Sequence, residues 1–278
     1  MIAGAWLDRA AQTLREAGVE APRRDAVLLL ARASGIDKAR LLSHPDLNIS
    51  PTVVSEVERL LARRARREPL QYILGVQEFW GLPVRVGPGC LIPRPETEHL
   101  VETALRLLEG CERPGVAEVG TGSGCVLMAL AKERPDARLV GVEREAAALA
   151  WSRLNLPARG VLLVRADMAD RPPLRGLDLV VSNPPYITDA EWDMLQPEVR
   201  DHEPGFALRC GTDALGPYRA LMSLAASALR PKGFLLCELG VAQARRAASL
   251  RRLHPGLLWQ EGIRDLAGRL RVAVWEKR

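Results

Sequence analysis

The 278 residues carry 39 Lys and Arg against 34 Asp and Glu, a formal charge of +5, and 47% of them are hydrophobic. That is ample material for a buried core, which excludes a disordered chain, and the length suits a catalytic domain with a smaller attachment. No stretch approaches the roughly 18 continuous apolar residues of a membrane span, and charges break the opening MIAGAWLDRAAQTLREAG too early for a secretory signal, so a soluble, cytoplasmic protein is expected. The basic excess suits an anionic partner of any kind and singles out none. The five cysteines (Cys90, Cys111, Cys125, Cys210, Cys237) contain no CxxC pair, which points to reduced, mostly packed thiols.

Residues 1–72 read as a small helical domain. Trp6, Ala10 and Leu14 share one helical face, and Asp25 to Ala33 is an apolar helical run. In the last helix Ser50 is placed to cap, Pro51 occupies the first turn, and Val53, Val54, Val57, Leu60 and Leu61 form the apolar stripe that ends at Pro69. The run RRARRE, Arg63 to Glu68, reads as a solvated helix face, with a phosphate contact as the alternative. Residues 73–93 alternate about Gly81 and predict a β-hairpin linker. From 94 to 278, β-rich runs alternate with helical segments: Val116 to Gly120, Leu139 to Glu143, Val161 to Asp167, Leu177 to Asn183, Phe234 to Gly240 and Leu270 to Glu276. Such alternation predicts an α/β fold with helices on both faces of a mostly parallel, Rossmann-like sheet, the last run being an antiparallel strand.

The first of these strands enters E-V-G-T-G-S-G-C, with Glu118, Gly120, Thr121, Gly122, Ser123 and Gly124 ahead of a helical segment. Glycines at a strand-to-helix turn let a ligand approach the backbone and the helix N-terminus. A dinucleotide fingerprint would need GxGxxG, but Cys125 or Leu127 occupies the third glycine position, and the Walker lysine is missing. An acid two residues before GxGxG looks instead like the first motif of class I methyltransferases, whose carboxylate faces the methionine end of S-adenosyl-L-methionine. Glu143, ending the next strand, is placed as an acceptor for ribose hydroxyls, and Asp167 with Met168 as acceptor and apolar contact for adenine. The plainer reading makes these acids helix caps.

The strand LDLVVSN ends in Asn183-Pro184-Pro185-Tyr186. Two prolines alone would explain a rigid turn. Beside the glycine loop, however, Asn183 Oδ1 and the Pro184 carbonyl are suited to accept both N–H bonds of a planar NH2 group. Its lone pair is delocalised, so orientation toward the sulfonium methyl matters more than an acid or base. Tyr186 is expected to pack against the substrate's flat group. No metal is expected, since His44, His99, His202 and His254 lack ligand spacing, and no GxSxG turn exists.

The stretches LIPRPETEHLV, EVGTGSG, VVSNPPYI, HEPGFALRCGTDALGPYR and LCELGVAQ, in that order, resemble the PrmC/HemK family of release factor glutamine methyltransferases. The resemblance implies a class I, seven-stranded methyltransferase domain and a helical N-terminal domain for substrate recognition. It also implies methyl transfer from S-adenosyl-L-methionine, leaving S-adenosyl-L-homocysteine, to the amide nitrogen of the glutamine in the GGQ motif of class 1 peptide chain release factors. Cofactor contacts are then expected at Glu118, Gly120 to Gly124, Glu143, Asp167, Met168 and Asn183. Substrate contacts are expected at Asn183, Pro184, Pro185 and Tyr186, with Arg94 and Glu96 either closing the site or acting structurally. Glu143 stands where aspartate is more usual, and His202 where tyrosine often precedes Glu-Pro. The long stretch from Ile187 to Gly216 is expected to border the protein substrate. A DNA or RNA amino-methyltransferase would share cofactor and clamp but would want a basic groove; a non-catalytic nucleotide-binding module would need NPPY only as a turn. Direct nucleic-acid or membrane binding is not expected, and the chain is expected to be a monomer.

Overall fold

Residues 1–156 and 160–278 are described by a computed structural model, in which the chain divides into two compact units. The helical unit starts with helix Ala3–Glu16, whose buried face carries Trp6, Leu7, Ala10 and Leu14. Helices Pro22–Ser34, Lys38–Ser43, Pro51–Ala65 and Leu70–Leu74 follow, and Leu29, Leu30, Leu41, Val57 and Leu60 join the same core. Ser50 accepts the Val53 amide at 3.4 Å and Pro51 holds the first turn, so the fourth helix begins where the sequence predicts.

Two features of this unit differ from the sequence reading. Residues Gln196–His202, far along the chain, belong to it together with Met1–Val76. The run at 63–68 is not a solvated face: Arg63 pairs with Glu68, while Arg64 pairs with Asp25 and Glu198 and Arg67 pairs with Glu198. Arg66 is the exposed member. Partners that lie 131 and 134 residues away leave no local trace in a helical pattern.

The other unit, Gln77–Leu195 with Glu203–Arg278, takes in nearly all of the hairpin of β1 (Val76–Phe79) and β2 (Leu82–Arg85). Trp80 and Gly81 between them both have positive φ, 54° and 64°, as primed hairpin turns require, and the Trp80 amide donates to Glu98 Oε1 at 2.8 Å. The main strands are β3 (Gly115–Val119), β4 (Arg138–Glu143), β5 (Val161–Arg165) and β6 (Leu177–Ser182). A small pair, β7 (Ile187–Thr188) and β8 (Arg209–Gly211), precedes β9 (Leu229–Glu238), β10 (Leu257–Arg264) and β11 (Leu270–Lys277).

Seven of these strands form one sheet in the order β10-β11-β9-β6-β3-β4-β5, parallel from β9 to β5, with β11 antiparallel to both β9 and β10. Strand β10 is not among the expected runs: its burial alternates, but an apolar Leu258 stands on the exposed face and a charged Glu261 on the opposite one, so the residue types do not alternate with it. Helix Gly216–Ala228 buries Tyr218, Leu221, Met222 and Leu224 in a core with Val180, Leu235, Cys237 and Trp275. Helices Glu98–Leu107 and Cys125–Glu133 pack on each other, and Ala146–Asn155 on β4 and β5. This is the class I methyltransferase fold.

Candidate functional site

From β3 the sheet grows outward through β4 to β5, whereas β6 returns to the opposite side of β3. Connections leaving β3 and β6 therefore diverge, and a crevice opens beyond their carboxyl ends where α/β sheets hold ligands. The cavity there is lined by Leu91 to Arg94 and Thr97, by Glu118 to Ser123, by Val142 to Glu145 with Ala148, by Ala166 to Met168, by Ser182 to Pro185, and by Phe206 with Ala207.

The glycine loop divides its labour. Gly120 and Gly122 have φ of 74° and 54°, a region that side chains occupy only with strain, and both lie on the cavity. Gly124, at φ 80°, does not line it; a Cβ there would sit 3.1 Å from the Leu156 side chain. Its part is the close approach of helix Cys125–Glu133 to its neighbour. Glu118 is 4% exposed and accepts from Thr121 Oγ1 at 2.5 Å; burial pushes its carboxyl up to about 8.

Glu143 accepts the Gly122 amide on one oxygen and the Glu145 amide on the other, both at 2.9 Å. A carboxylate so engaged keeps further lone pairs, and the side chain that replaces the usual aspartate still reaches the glycine loop. Asp167 accepts the Ala169 amide at 2.9 Å and pairs with Arg144 at 3.2 Å while facing the cavity. These acids are turn braces and cavity residues at once, so the two readings of them are not exclusive. Met168, Val142 and Ala148 give the same wall an apolar lining.

At the end of β6, Asn183, Pro184 and Pro185 form the facing wall. Asn183 Nδ2 donates to Thr97 Oγ1 at 3.3 Å, and Thr97 Oγ1 donates to Glu238 Oε2 at 2.7 Å. Gln243 Nε2 holds the turn from behind through the carbonyls of Tyr186 and Ala214, each at 3.0 Å. Tyr186 is not on the cavity lining: its ring lies against Gly240, where a Cβ would come within 2.6 Å of it. Burial pushes its hydroxyl well above the usual tyrosine range.

Arg94 and Glu96 do not pair with each other. Arg94 lines the cavity and pairs with Glu203, which also accepts the Ile92 amide at 3.0 Å, whereas Glu96 lies 3.6 Å from Arg271. Glu203, itself buried, thus fixes the segment that walls the cavity. Thr97, Glu203, Glu238 and Gln243 do not stand out in the sequence. Each is one polar residue within a motif or an apolar run, and only its distant partner reveals it. Among the described residues, no three His, Cys, Asp or Glu side chains gather as a metal site would require, and no helix is long and apolar enough to cross a membrane.

Comparison with known proteins agrees with this geometry. Residues 5–75 match the model of the PrmC N-terminal domain and residues 97–198 that of the methyltransferase small domain. The chain is 44% identical over 233 residues to a release factor glutamine methyltransferase of Geobacter sulfurreducens, covering 83% of this chain and 81% of the relative. It is 40% identical to the one from Rhodospirillum rubrum, covering 100% and 86%, and 42% identical to the one from Cereibacter sphaeroides, covering 96% and 95%. A seven-stranded methyltransferase sheet, an acid-flanked glycine loop facing NPPY, and this similarity along almost the whole chain place it in the release factor glutamine methyltransferase family.

Proposed function

We propose that this enzyme transfers a methyl group from S-adenosylmethionine to the side-chain amide nitrogen of the GGQ glutamine of class 1 peptide chain release factors, as a cytoplasmic monomer that needs no metal. The observation that carries this reading is the sharing of one cavity by two sets of groups: the glycine loop with Glu118 and Glu143, and the wall Asn183-Pro184-Pro185. Glu118, Glu143 and Asp167 offer acceptors for the amino and hydroxyl groups of the cofactor, and Met168 and Val142 an apolar face for its ring. Bound S-adenosylmethionine supplies an electrophilic methyl group on its sulfonium.

The residues of this chain then have a positioning task. Asn183 Oδ1 and the Pro184 carbonyl accept the two N–H bonds of the glutamine amide, and the prolines hold both acceptors rigid. The clamp favours the pyramidal nitrogen of the transition state over the planar ground state, and the methylated nitrogen afterwards releases one proton to water. Residues 1–72 serve as the substrate-recognition domain, 73–93 as the linker and 94–278 as the methyltransferase domain.

Mass spectrometry of a release factor incubated with enzyme and S-adenosylmethionine tests the proposal. A gain of one methyl on the GGQ glutamine is expected, absent when that glutamine is replaced. No gain with cofactor demonstrably bound rejects the substrate and moves the search to amino groups of other proteins and of nucleic acids.

Glu118 adds a second expectation. With its carboxyl at about 8 in the free protein it is mostly protonated at neutral pH. A cationic methionine end beside it favours the carboxylate, so cofactor binding should release a proton. Affinity should then rise with pH between about 6 and about 7.5, below the range where the cofactor's own α-amino group titrates, near about 7.7–8.0. Calorimetry in buffers of different ionisation enthalpy measures the release, and a Glu118→Gln variant should show none.

A further inference from the structure

The Thr97 hydroxyl has one proton, and it is given to Glu238 at 2.7 Å. What Thr97 has left for Asn183 is a lone pair, and a lone pair selects a donor. Of the two ends of the Asn183 amide only the NH2 can face Thr97, as it does at 3.3 Å, and Oδ1 is thereby turned the other way. Thr97 and Asn183 both line the cavity, and Thr97 and Glu238 are 4% and 2% exposed, so water does not compete for the bond between these two. Glu238 ends β9, the strand paired with β6, and its chain neighbour Cys237 lies opposite Ser182 in the register. The carboxylate is therefore set by the sheet itself.

We infer that Thr97 and Glu238 are positioning residues that lock the Asn183 amide with its oxygen toward the substrate nitrogen. The inference rests on the clamp reading of Asn183. An amide free to turn would present its NH2 to the substrate NH2 for part of the time, two donors facing each other, and the clamp would lose its acceptor.

The device has a proton-dependent side. Glu238 is faced by Arg94 and Glu96 of the segment before helix Glu98–Leu107, by Arg271 of β11, and by Tyr186, Tyr218 and Cys237. The Tyr218 hydroxyl donates to its main-chain carbonyl at 3.0 Å. Burial pushes the Glu238 carboxyl up to about 7 against the pull of Thr97, Arg271 and Arg94. A protonated Glu238 is able to donate to Thr97 Oγ1, which frees the Thr97 proton for the wrong end of the amide. Turnover should therefore fall as the pH is lowered through about 7.

The test is the kinetics of Thr97→Val, Thr97→Ser, Glu238→Gln and Asn183→Ala in the full-length enzyme, with a release factor as substrate and cofactor affinity measured separately. Thr97→Val and Glu238→Gln are expected to lower kcat by about 10–100-fold with KM for the release factor and cofactor affinity within about threefold. Thr97→Ser should restore most of the loss, and Glu238→Gln should lack the acid limb of the pH profile. Wild-type kcat in Thr97→Val, equal losses in the Val and Ser variants, or an unchanged pH profile in Glu238→Gln would overturn the inference. Should Thr97→Val fail to fold, the Ser and Gln variants decide. An active Asn183→Ala enzyme would reject the clamp itself, which is a separate failure.

Discussion

Replacing Asn183 by alanine is expected to slow methyl transfer by about 10²–10³-fold, the usual loss when one preorganised hydrogen-bonding group is taken from a transition state. Asn183 stands on the cavity wall at the end of β6, between two prolines on one side and the Thr97 hydroxyl on the other, so its truncation removes one acceptor and moves no backbone. In the proposed clamp the Pro184 carbonyl would remain to take one N–H, but a single acceptor does not fix the plane of the amide. Because the missing contact tightens as the nitrogen pyramidalises, the loss belongs in kcat. Cofactor affinity should fall by about tenfold at most, the worth of one hydrogen bond. Single-turnover rates and cofactor titration separate the two. A variant with normal kcat and a raised KM for the release factor would make Asn183 a docking contact only.

What the sequence disclosed was whatever is written locally. Strands β3, β4 and β6 are apolar runs buried on both faces, and the glycines after β3 mark a turn that needs left-handed backbone; both signals survive without knowledge of the fold. The acids at the carboxyl ends of β3 and β4, Glu118 and Glu143, were legible for the same reason, since each closes an apolar run. Tyr186 shows the limit. Next to Asn183-Pro184-Pro185 it reads as a substrate contact, yet the glycine at 240, more than fifty positions on, leaves the space its ring fills. Glu238 reads as one more residue of a strand, because nothing near it in the chain shows that Thr97 comes to it across the cavity wall. Strand β10 was hidden because Leu258 stands on its exposed face and Glu261 on the other, and the membership of 196–202 in the helical unit by ion pairs to residues at the other end of the chain.

Those ion pairs carry a large expected effect on stability. Arg64 is 6% exposed, and its guanidinium serves three pieces of chain in the helical unit: Asp25 Oδ2 at 2.8 Å, the Glu68 carbonyl at 3.0 Å and Glu198 Oε1 at 2.9 Å. Arg64→Ala leaves Asp25, itself 5% exposed, as a buried carboxylate without its donor. Stranding one partner of a buried pair costs about 3–5 kcal/mol, against a total of about 5–15 kcal/mol for a typical domain. Glu198 fares better, because Arg67 Nε and Nη2 still donate to it at 2.7 and 2.5 Å. Arg64→Met with Asp25→Leu should therefore recover much of the loss, since the stranded charge is gone and Glu198 keeps a partner. Burial raises the Glu198 carboxyl, but the hydrogen bonds from Arg67 and Arg64 outweigh it and hold it below its ordinary 4.5. A depressed carboxylate contributes its stability above that value and loses it as the pH falls below 4.5 toward the folded-state pKa. In the wild type the helical unit should accordingly weaken below pH 4.5, and Arg64→Ala should flatten that acid dependence. Hydrogen exchange resolved by peptide, at several pH values, measures both effects in residues 1–76 and 196–202. A loss of less than about 1 kcal/mol in Arg64→Ala, the typical effect of any substitution, would mean that water replaces the guanidinium and that the pairs only decorate a core held by Trp6, Leu30 and Leu60.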